Sequence, residues 1–597
     1  MTGQRTIARL WRDAVAAARD TPAYLEQVGE EWRPVSWEEA AGRVQDYANG
    51  LLSLGIRKGD AFAIVSRTRL EWALFDFALA SVGAIGAPIY PNSSPNETRY
   101  ILGHSDAVGV LVEDDEQRTK VESVRGELPL LEHVLGLSEL DELAARGRAY
   151  AEQNPHALRE AGDALGEDDL FTYIYTSGTT GPPKGCMISH RNYYAMAAVV
   201  DHLETFTVAG DVMLLYLPLA HNFGRLMHLS GPYVGYTVAF LPDPLQAAAA
   251  LPAVKPTVFP SVPRVYEKIH TAVVAKLDEE TGAKRKLIDW ALRVGREVSR
   301  RRCAGEPIPV PLAVQHRLAD RLVYAKVKER LGGRLRTAIS GGAPLAPDIA
   351  EFFHSIDILI LEGYGLTECT TAATTSTHAA FRFGTVGKAL PGVELRLADD
   401  GELLIRSETV FGGYLKDPEA TAAVLTDDGW LKSGDVAEID ADGFVRITDR
   451  KKDIIVTAGG KNVAPQNLEN ELKSSKYVSQ ALVVGDRKPY VAALITLDGE
   501  EIGKWAREHG IEGDVEELAR HDAVRELVQR IVDDVNAERS NYERIKRFAI
   551  LPRDFTMDGG ELTPTLKLKR RVVQERYADH LDELYAGGTL NEAAATA

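Results

Sequence analysis

The first third of the chain alternates short apolar runs with helical patterns. The runs AFAIVS (residues 61–66), AIGAPIY (residues 84–90) and GVLVED (residues 109–114) have the length and the branched residues of strands. Between the first two, Leu70–Val82 is apolar over a length typical of a buried helix. Because strands that alternate with helices form parallel sheets covered by helices, this region predicts an α/β fold.

Further along the chain the pattern changes twice. Residues 266–331 are charged and helical in pattern, which predicts a helical insertion. After residue 386, short strands and turns predominate, as in VELRLADDGELLIRS with its Asp-Asp-Gly turn, and they predict a β-rich subdomain. We expect a large N-terminal domain of parallel or mixed sheets at residues 1–451. A smaller α+β domain is expected at residues 452–597, with its last residues frayed.

The charge balance limits the classes of partner. The 597 residues include 69 Lys and Arg against 87 Asp and Glu, a formal net charge of −18. So acidic a chain is not expected to bind nucleic acid, and an anionic substrate would need local clusters of basic side chains. The three cysteines, Cys186, Cys303 and Cys369, form no CxxC pair, so neither a disulfide framework nor a structural zinc site is expected.

No segment predicts insertion into a membrane. The first 20 residues show the pattern of an amphipathic helix interrupted by charges and do not resemble a signal peptide. The most apolar stretch, residues 72–90, is interrupted by Asp76 and Pro88 and lacks the roughly 20 apolar residues of a bilayer span. We therefore expect a cytoplasmic protein, and the sequence makes no prediction of its oligomeric state.

The strongest local motif is YTSGTTGPPKG, residues 175–185, which follows an apolar strand. Its glycines and hydroxyl residues can turn backbone N–H groups and hydroxyls toward phosphate oxygens, and Lys184 adds a positive charge. The motif is not a Walker A loop, because Pro183 precedes the lysine and no Ser or Thr follows it. A flexible linker is the alternative, but the preceding strand and the Pro-Pro-Lys-Gly exit favour a phosphate-binding loop.

Two further glycine motifs, SGGAPL (residues 340–345) and GYGLTE (residues 363–368), each follow a strand-like run. The second begins like a dinucleotide fingerprint, but its sixth residue is Glu368 rather than Gly or Ala, which argues against a nicotinamide site. An aromatic residue beside a glycine can lie flat against a purine, and Glu368 could hold Mg²⁺ through one oxygen. A tight turn with a capping glutamate is the alternative.

The C-terminal half contains two charged motifs. Within residues 427–462, Asp435 could accept hydrogen bonds from two ribose hydroxyls, and Arg450 could approach the same ribose or a phosphate. Turns at strand ends are the alternative here. In LKLK, residues 566–569, the period of two places both lysines on one face of an extended segment. A basic run is usually a solvated face, yet so acidic a chain needs positive groups supplied locally to handle nucleotides.

Together these motifs resemble the adenylate-forming superfamily of acyl-CoA synthetases, luciferases and peptide-synthetase adenylation domains, in the family's order and over about residues 35–585. TAGGKNVAPQNLE and LTPTLKLKRR are most similar to bacterial long-chain fatty-acid–CoA ligases. The resemblance implies an ATP-dependent acid–thiol ligase that forms an acyl-AMP and then an acyl-CoA. Its small-molecule substrates would be a fatty acid, ATP and coenzyme A, with Mg²⁺ as cofactor. Because fatty acids partition into bilayers, peripheral contact with a membrane is compatible with this implication.

The same resemblance implies roles for single residues. Lys567 matches the adenylation lysine, and His221 in LPLAHNFGR matches the position near the acyl carboxylate. Glu368 and Thr176 are the expected metal ligands. Tyr364 would stack on adenine, and Thr367 would contact the AMP phosphate. The implied ATP- and AMP-binding residues are Thr176, Ser177, Gly178, Thr179, Thr180, Gly181, Lys184, Gly341, Gly342, Ala343, Tyr364, Gly365, Thr367, Asp435 and Arg450.

The resemblance also implies that the C-terminal domain moves. Lys452 falls at the family's interdomain hinge. Between the two steps, the Lys567 segment would be replaced by the face of Gly459, Gly460 and Lys461, which is the expected CoA-binding element. The two faces would thus serve different half-reactions.

Other functions share part of this pattern with the ligase. An acyl-AMP ligase without thioester activity and a luciferase-like oxygenase share the motifs. A peptide-synthetase module would need a carrier domain, for which a sequence ending at Ala597 is expected to leave no room. A non-catalytic acyl- or nucleotide-binding protein would be expected to have lost at least one of Glu368, Asp435, Arg450 and Lys567.

Overall fold

A computed structural model describes residues 4–29, 31–176, 182–203, 206–537, 539–557, 559–563 and 568–586. The strands in these ranges are β1 Tyr24–Val28, β2 Glu31–Val35, β3 Ala61–Val65, β4 Ile85–Ile89, β5 Ala107–Val112, β6 His133–Gly136, β7 Leu170–Thr176, β8 Lys184–Ser189, β9 Val212–Leu215, β10 Thr237–Phe240, β11 Val258–Ser261, β12 Thr337–Gly341, β13 Ile360–Tyr364, β14 Thr374–Thr375, β15 Lys388–Ala389, β16 Glu394–Leu397, β17 Glu402–Arg406, β18 Leu431–Ile439, β19 Val445–Arg450, β20 Ile455–Val456, β21 Asn462–Val463, β22 Val478–Val484, β23 Val491–Leu497 and β24 Ile545–Ile550.

The α-helices are α1 Ile7–Ala16, α2 Trp37–Ser53, α3 Leu70–Val82, α4 Pro95–His104, α5 Asp115–Arg125, α6 Leu140–Gln153, α7 Ala157–Asp163, α8 His190–Ala198, α9 Asn222–Val234, α10 Ala247–Val254, α11 Pro263–Asp278, α12 Gly282–Cys303, α13 Val310–Ala319, α14 Ala325–Arg330, α15 Pro347–Ser355, α16 Pro418–Val424, α17 Pro465–Lys473, α18 Gly499–Glu508, α19 Val515–Ala519, α20 Asp522–Asn536, α21 Arg570–Arg576 and α22 Ala578–Tyr585. Short 3₁₀ turns occur at Leu137–Glu139, Val199–His202, Pro244–Gln246 and Thr367–Cys369, and a π-turn at Asp320–Tyr324.

A six-stranded sheet forms the first layer, in the order β6-β5-β3-β4-β7-β8. The pairs from β6 to β7 are parallel, and β8 closes the edge as the antiparallel partner of β7. Strands β3 and β4 are buried along their whole length, as is most of α3 between them. The strand–helix–strand pattern read from the first third of the sequence is confirmed, with β5 starting two residues earlier than expected.

A nine-stranded sheet forms the second layer, in the order β15-β14-β13-β12-β11-β9-β10-β1-β2. Its centre is parallel from β13 to β1, and only the edges are antiparallel. In the sequence, helices α11 to α14 lie between β11 and β12, and these two strands are paired in the sheet. The helices therefore form an insertion between two neighbouring strands.

The last part of the chain contains smaller sheets. Strands β16 to β19 form an antiparallel four-stranded sheet, and β22 to β24 form a three-stranded sheet beyond it. The second of these sheets has its own hydrophobic core with α17, α18 and α20, which includes Leu468, Ile495 and Val528. A large mixed-sheet region followed by a smaller α+β region is therefore confirmed, whereas the boundary at 451/452 stays a prediction.

Among the described residues, no helix combines the length and the apolar character that crossing a bilayer requires.

Candidate active site

The carboxyl ends of two parallel strands start the site. Gly341 at the end of β12 lies in register with Gly363 of β13, so SGGAPL and GYGLTE leave the sheet at the same edge. In open α/β sheets this edge is where ligands bind. Gly342 turns the chain with φ +86°, a conformation that residues with a Cβ rarely adopt. The two motifs are therefore brought together by strand pairing.

Three residues predicted to bind nucleotide form one cluster. Asp435 on β18 pairs in register with Arg450 on β19, and the Arg450 Nε lies 3.4 Å from Asp435 Oδ1. The Tyr364 hydroxyl donates to Asp435 Oδ2 at 2.6 Å. Burial, reinforced by the Asp435 carboxylate, raises the pKa of Tyr364, so its hydroxyl stays a proton donor. The cluster presents a buried carboxylate beside an aromatic ring and a guanidinium.

Tyr414 connects Glu368 with Lys184 at the end of the predicted phosphate loop. The Tyr414 hydroxyl donates to Glu368 Oε1 at 2.7 Å. The Lys184 Nζ lies 5.0 Å from the centre of the Tyr414 ring, which is within cation–π distance. Thr176 and Lys184 pair across the hairpin of β7 and β8, and the tip of that hairpin, residues 177–181, lies outside the described residues.

His221 is the N-cap of α9. Its Nδ1 accepts the Phe223 amide at 3.2 Å, which ties the imidazole to the first turn of the helix. The next residue, Asn222, donates through Nδ2 to the Thr367 carbonyl at 3.3 Å. The start of α9 and the GYGLTE turn are therefore held together, and His221 and Thr367 both face one cavity.

Arg225, one turn into α9, is a fully buried charge. Its Nε donates to Asp76 Oδ2 of α3 at 3.0 Å, and its second amino group also contacts that carboxylate. A third bond, of 2.5 Å, reaches the Thr172 hydroxyl on β7. The guanidinium carbon lies 4.4 Å from the centre of the Phe171 ring. Arg225 thereby joins α9 to the strand that leads into the predicted phosphate loop.

Glu362, immediately before GYGLTE, is a second buried titratable group. It accepts the Leu345 amide at 3.3 Å and thus connects β13 with the end of SGGAPL. Burial raises the pKa of Glu362 to about 8, although the Leu345 hydrogen bond opposes the shift. The carboxyl group is therefore largely protonated at neutral pH.

A cavity of about 2340 Å³ connects these features. Of the predicted residues in the described ranges, it is lined by Thr176, Lys184, His221, Gly341, Gly342, Ala343, Tyr364, Gly365, Thr367, Glu368, Asp435, Arg450 and Lys452. The same cavity also has an apolar part, lined by Met196, Val199, Val200, Leu203, Phe206, Leu226 and Met227. Polar groups of the kind that bind nucleotides and an apolar surface thus share one cavity.

The C-terminal region supplies another wall of the cavity. Residues on both sides of Lys567 line it, including Thr563, Lys569 and Arg570, while Lys567 itself lies outside the described residues. Arg570 donates to Glu469 at 2.6 Å and to the Val483 carbonyl at 2.6 Å, which fixes this segment on the C-terminal core.

The predicted CoA-binding face lies elsewhere. Gly459, Gly460 and Lys461 are described residues but are not part of the cavity wall. The Lys461 Nζ lies 5.8 Å from the centre of the Tyr542 ring instead. The structure therefore brings the Lys567 neighbourhood to the cavity and leaves the Gly459 face outside it.

The predicted hinge is a short turn between anchored neighbours. Lys451 forms ion pairs with Asp400 at 2.6 Å and with Glu402 at 3.0 Å. The Arg450 carbonyl accepts the amides of Asp453 at 2.8 Å and Ile454 at 3.1 Å. Lys452 lies inside this turn, and its role as a pivot stays a prediction.

A magnesium ion would find suitable oxygen ligands near Glu368. Mg²⁺ is usually held by one or two carboxylates together with substrate phosphates. Within the described ranges no cluster of three or more His, Cys, Asp or Glu side chains is arranged to hold a metal. The Glu368 carboxylate and the Thr176 hydroxyl, both in the cavity wall, therefore fit a metal shared with a nucleotide better than a closed protein site.

Several residues of the site are not evident from the sequence. Tyr414 lies in a loop without a recognisable motif, and Glu362 reads as one more residue of a strand. Glu402 is separated from Lys451 by 49 positions, so only the sheet topology brings them together. Of these residues, only Glu362 has a signal in the sequence, because a carboxylate within an apolar strand is unusual.

Comparison with protein families covers both parts of the chain. A family described as AMP-binding enzyme matches residues 11–415, and a family described as AMP-binding enzyme C-terminal domain matches residues 452–589. Between the two matches lie residues 416–451, which include the Asp435–Arg450 hairpin.

Two relatives and one solved structure are similar over nearly the whole chain. Long-chain-fatty-acid–CoA ligase FadD15 of Mycobacterium tuberculosis (strain ATCC 25618 / H37Rv) is 40% identical over 578 residues, 95% of each chain. Long-chain-fatty-acid–CoA ligase ACSBG2 of Homo sapiens is 31% identical over 620 residues, 97% of this chain and 92% of the relative. The adenylation domain of the carboxylate reductase GR01_22995 from Mycobacterium chelonae superimposes with a TM-score of 0.76 at 26% identity, over 97% of this chain and 91% of that one.

Proposed function

Because this chain belongs to the family of AMP-binding enzymes, we propose that it is an ATP-dependent ligase that joins long-chain fatty acids to coenzyme A. The single observation that carries the proposal is the shared cavity. It combines the Tyr364–Asp435–Arg450 cluster with the apolar surface of α8 and α9, and His221 lines the same space. A nucleotide and an aliphatic chain fit these two parts by their chemistry.

In the first half-reaction, the fatty carboxylate oxygen forms a bond to the α-phosphorus of ATP. The bond from that phosphorus to the bridging oxygen breaks, and pyrophosphate leaves with the electron pair. No side-chain nucleophile is needed, because the substrate itself attacks. Asp435 would accept hydrogen bonds from the ribose, while Lys184 and Lys567 would stabilise the charge that spreads over the phosphoryl oxygens.

Magnesium is part of this proposal through Glu368 and Thr176. The bound ion would supply positive charge to the phosphates as a Lewis acid. Tyr414 would orient the Glu368 carboxylate through its hydrogen bond of 2.7 Å. Because burial and the neighbouring carboxylate raise the pKa of Tyr414, its hydroxyl remains a donor throughout the working pH range.

In the second half-reaction, the thiol sulfur of coenzyme A attacks the acyl-AMP carbonyl carbon. The carbon–oxygen bond to AMP breaks, AMP leaves, and the thiol proton passes to solvent. The face of Gly459, Gly460 and Lys461 would bind coenzyme A after rotation about Lys452. That this face now lies outside the cavity supports the structure as the arrangement for acyl-AMP formation.

The proposal is tested by incubating the purified protein with ATP, Mg²⁺, coenzyme A and either acetate, octanoate or palmitate. Formation of acyl-CoA and AMP, fastest with palmitate, is expected. Release of pyrophosphate without acyl-CoA would instead identify an acyl-AMP ligase. If acetate were the one acid of the three that is converted, the preference for long chains would be contradicted. If none of the acids were converted, the assignment as an enzyme would be contradicted.

A further inference from the structure

A stripe of large aliphatic side chains is exposed along α13 and the turn that follows. Val310, Val314, Leu318 and Leu322 are spaced four residues apart, and their exposed fractions are 76%, 59%, 49% and 39%. Residues at this spacing lie on one side of a helix. Single exposed apolar residues need no explanation, but four in line on one helix form a surface.

The helix that carries the stripe is firmly held from the other side. Ala319, Val323 and Tyr324 are buried, and the Tyr324 hydroxyl donates to the Ala291 carbonyl of α12. The stripe is therefore presented by a packed helix and is not the result of a frayed one. Nothing in the described part of the chain covers it.

The charge around the stripe is opposite to that of the chain as a whole. Residues 263–331 contain 16 Lys and Arg and 9 Asp and Glu, whereas the net charge of the chain is −18. Arg317, Arg321 and Lys326 are exposed beside the stripe and have no ion pair within the described ranges. By contrast, Arg300 and Arg301 of α12 are paired with Glu297 and Glu306.

We propose that this surface, the α13 face, docks on an anionic lipid bilayer. The α13 face comprises Val310, Val314, Leu318, Leu322, Arg317, Arg321 and Lys326. An interfacial helix needs an aliphatic side that enters the acyl boundary and basic side chains beside it that meet anionic headgroups. The α13 face has both. A second copy of this chain is a poorer partner, because its face would bring the same positive charges into contact.

The gradient of exposure orients the docked helix. The exposed fraction falls from 76% at Val310 to 39% at Leu322, so the N-terminal end of α13 projects furthest from the protein. That end is expected to enter the bilayer, with Arg317 and Arg321 at headgroup level. The inference rests on the proposed function in one respect: docking would give a ligase access to fatty acids dissolved in the bilayer. The docking itself is measured without catalysis.

The test is sedimentation of the full chain with vesicles of phosphatidylcholine alone or of phosphatidylcholine with phosphatidylglycerol. We expect binding to the anionic vesicles, weakened by salt, and much weaker binding to the neutral ones. Arg317→Gln with Arg321→Gln should lower the partition coefficient about twenty-five-fold, because each basic residue contributes roughly fivefold. Val314→Ser with Leu318→Ser should lower it at least about tenfold.

Matched controls are available elsewhere on the surface. Arg507→Gln with Arg530→Gln removes two exposed basic residues of the C-terminal region, and Leu130→Ser removes an aliphatic side chain that is 51% exposed. Both controls should bind anionic vesicles like the unmodified chain. All variants should keep its thermal unfolding profile and its activity with octanoate in detergent-free buffer, since none touches the cavity.

Three outcomes would overturn the proposal. The first is no vesicle binding by the unmodified chain, and the second is equal loss of binding in the controls and in the α13 variants. The third is a change of oligomeric state in light scattering, caused by the α13 variants alone, which would make the face an interface between copies. A chain that docks but lacks ligase activity would refute the proposed function and leave the docking intact.

Discussion

At the scale of single residues, the site depends on hydroxyl donors aimed at carboxylates. Tyr364 holds Asp435, and Tyr414 holds Glu368, each through a bond under 3 Å. In both pairs the surroundings raise the pKa of the phenol, so the tyrosine hydroxyl keeps its proton and remains the donor. The stacking of Tyr364 on a purine stays a prediction, and the contact seen in the structure is its hydrogen bond to Asp435.

Glu368→Gln should lower the rate of acyl-AMP formation by about 10²–10³, because one charged contributor to a phosphoryl site is removed while its shape is kept. Pyrophosphate release at saturating Mg²⁺ measures the loss. Thermal unfolding should be unchanged, since the amide oxygen can still accept the Tyr414 hydroxyl. Turnover of the folded variant at the original rate would contradict the metal role.

Tyr414→Phe serves as the graded companion of that variant. It leaves the Glu368 charge in place and removes only the orienting hydrogen bond. We expect a smaller loss of rate, of about tenfold, together with a shift of the Mg²⁺ dependence to higher concentrations. An unshifted Mg²⁺ dependence would show that Tyr414 does not act through the carboxylate.

Glu362→Gln should change how stability depends on pH. The pKa of Glu362 is about 8 in the folded protein against an ordinary value of 4.5. Between these values the folded state retains a proton that the unfolded state has released, so the contribution of Glu362 to stability is lost as the pH rises through the window. Relative to the variant, the unmodified chain should lose about 1.4 kcal/mol per pH unit there.

Denaturant unfolding of both proteins from pH 5 to pH 8.5 provides the measurement. The glutamine can still accept the Leu345 amide, so the two curves should meet near pH 5 and diverge above it. Glu38→Gln, at an exposed position of α2, controls for the removal of one carboxylate. Curves that run parallel over the whole range would mean that Glu362 is ionised in the folded protein.

At the scale of elements, local patterns predicted the strands β3, β4 and β5, because apolar runs of that length and composition are a local signal. The strand pairing that joins Asp435 to Arg450 is seen only in the structure. Arg225 and Asp76 are 149 residues apart, and their pairing depends on the tertiary packing that brings α9 close to α3. No local rule contains that information. The sequence likewise marked His221 but could not show that Asn222 ties it to Thr367.

Arg225→Met should destabilise the protein by about 3–5 kcal/mol, because it leaves the buried Asp76 carboxylate without its partner. Combining it with Asp76→Asn should cost less than the single change, since no buried charge then remains. Denaturant unfolding of the two single variants and the double variant completes the cycle. Additive losses would show that the pair is not coupled.

Arg225→Lys tests the geometry of the same contact. A lysine keeps the charge but cannot reach Asp76 and Thr172 with a planar fork. We expect intermediate stability and a raised KM for the fatty acid, because α9 carries His221 and part of the apolar cavity wall. Unchanged KM would limit Arg225 to a structural role.

At the scale of the whole molecule, one cavity is lined by residues of both the large mixed-sheet region and the smaller α+β region. The family resemblance predicted two alternating faces, and the structure has the neighbourhood of Lys567 at the cavity and the Gly459 face away from it. The structure shows one position of the C-terminal region, so rotation between the two faces stays a proposal. It makes the two half-reactions separable by mutation.

Lys567→Ala should abolish acyl-AMP formation but still convert supplied acyl-AMP and coenzyme A to acyl-CoA. Lys452→Pro should do the reverse, because proline fixes φ near −65° and stiffens the pivot. Within the described chain the Lys452 amide is not among the backbone donors of its turn, so proline removes no hydrogen bond there. Pyrophosphate release in a single turnover and thioester formation are measured separately. Equal damage to both half-reactions by Lys567→Ala, with none from Lys452→Pro, would contradict the rotation.

The turn at residues 450–454 bears on how such a rotation would begin. In the proposed rotation, the two hydrogen bonds that the Arg450 carbonyl accepts from the amides of Asp453 and Ile454 would open, and each contributes about 1 kcal/mol net. Two hydrogen bonds of this strength can open within the microsecond-to-millisecond range of domain motions. The guanidinium of the same arginine lies against Asp435, in the nucleotide cluster. Arg450 thus contacts the predicted nucleotide site through its side chain and stabilises the turn through its backbone carbonyl. If the domain rotates as proposed, a change at the nucleotide site that moves the Arg450 side chain would also reach the turn about which the rotation would occur.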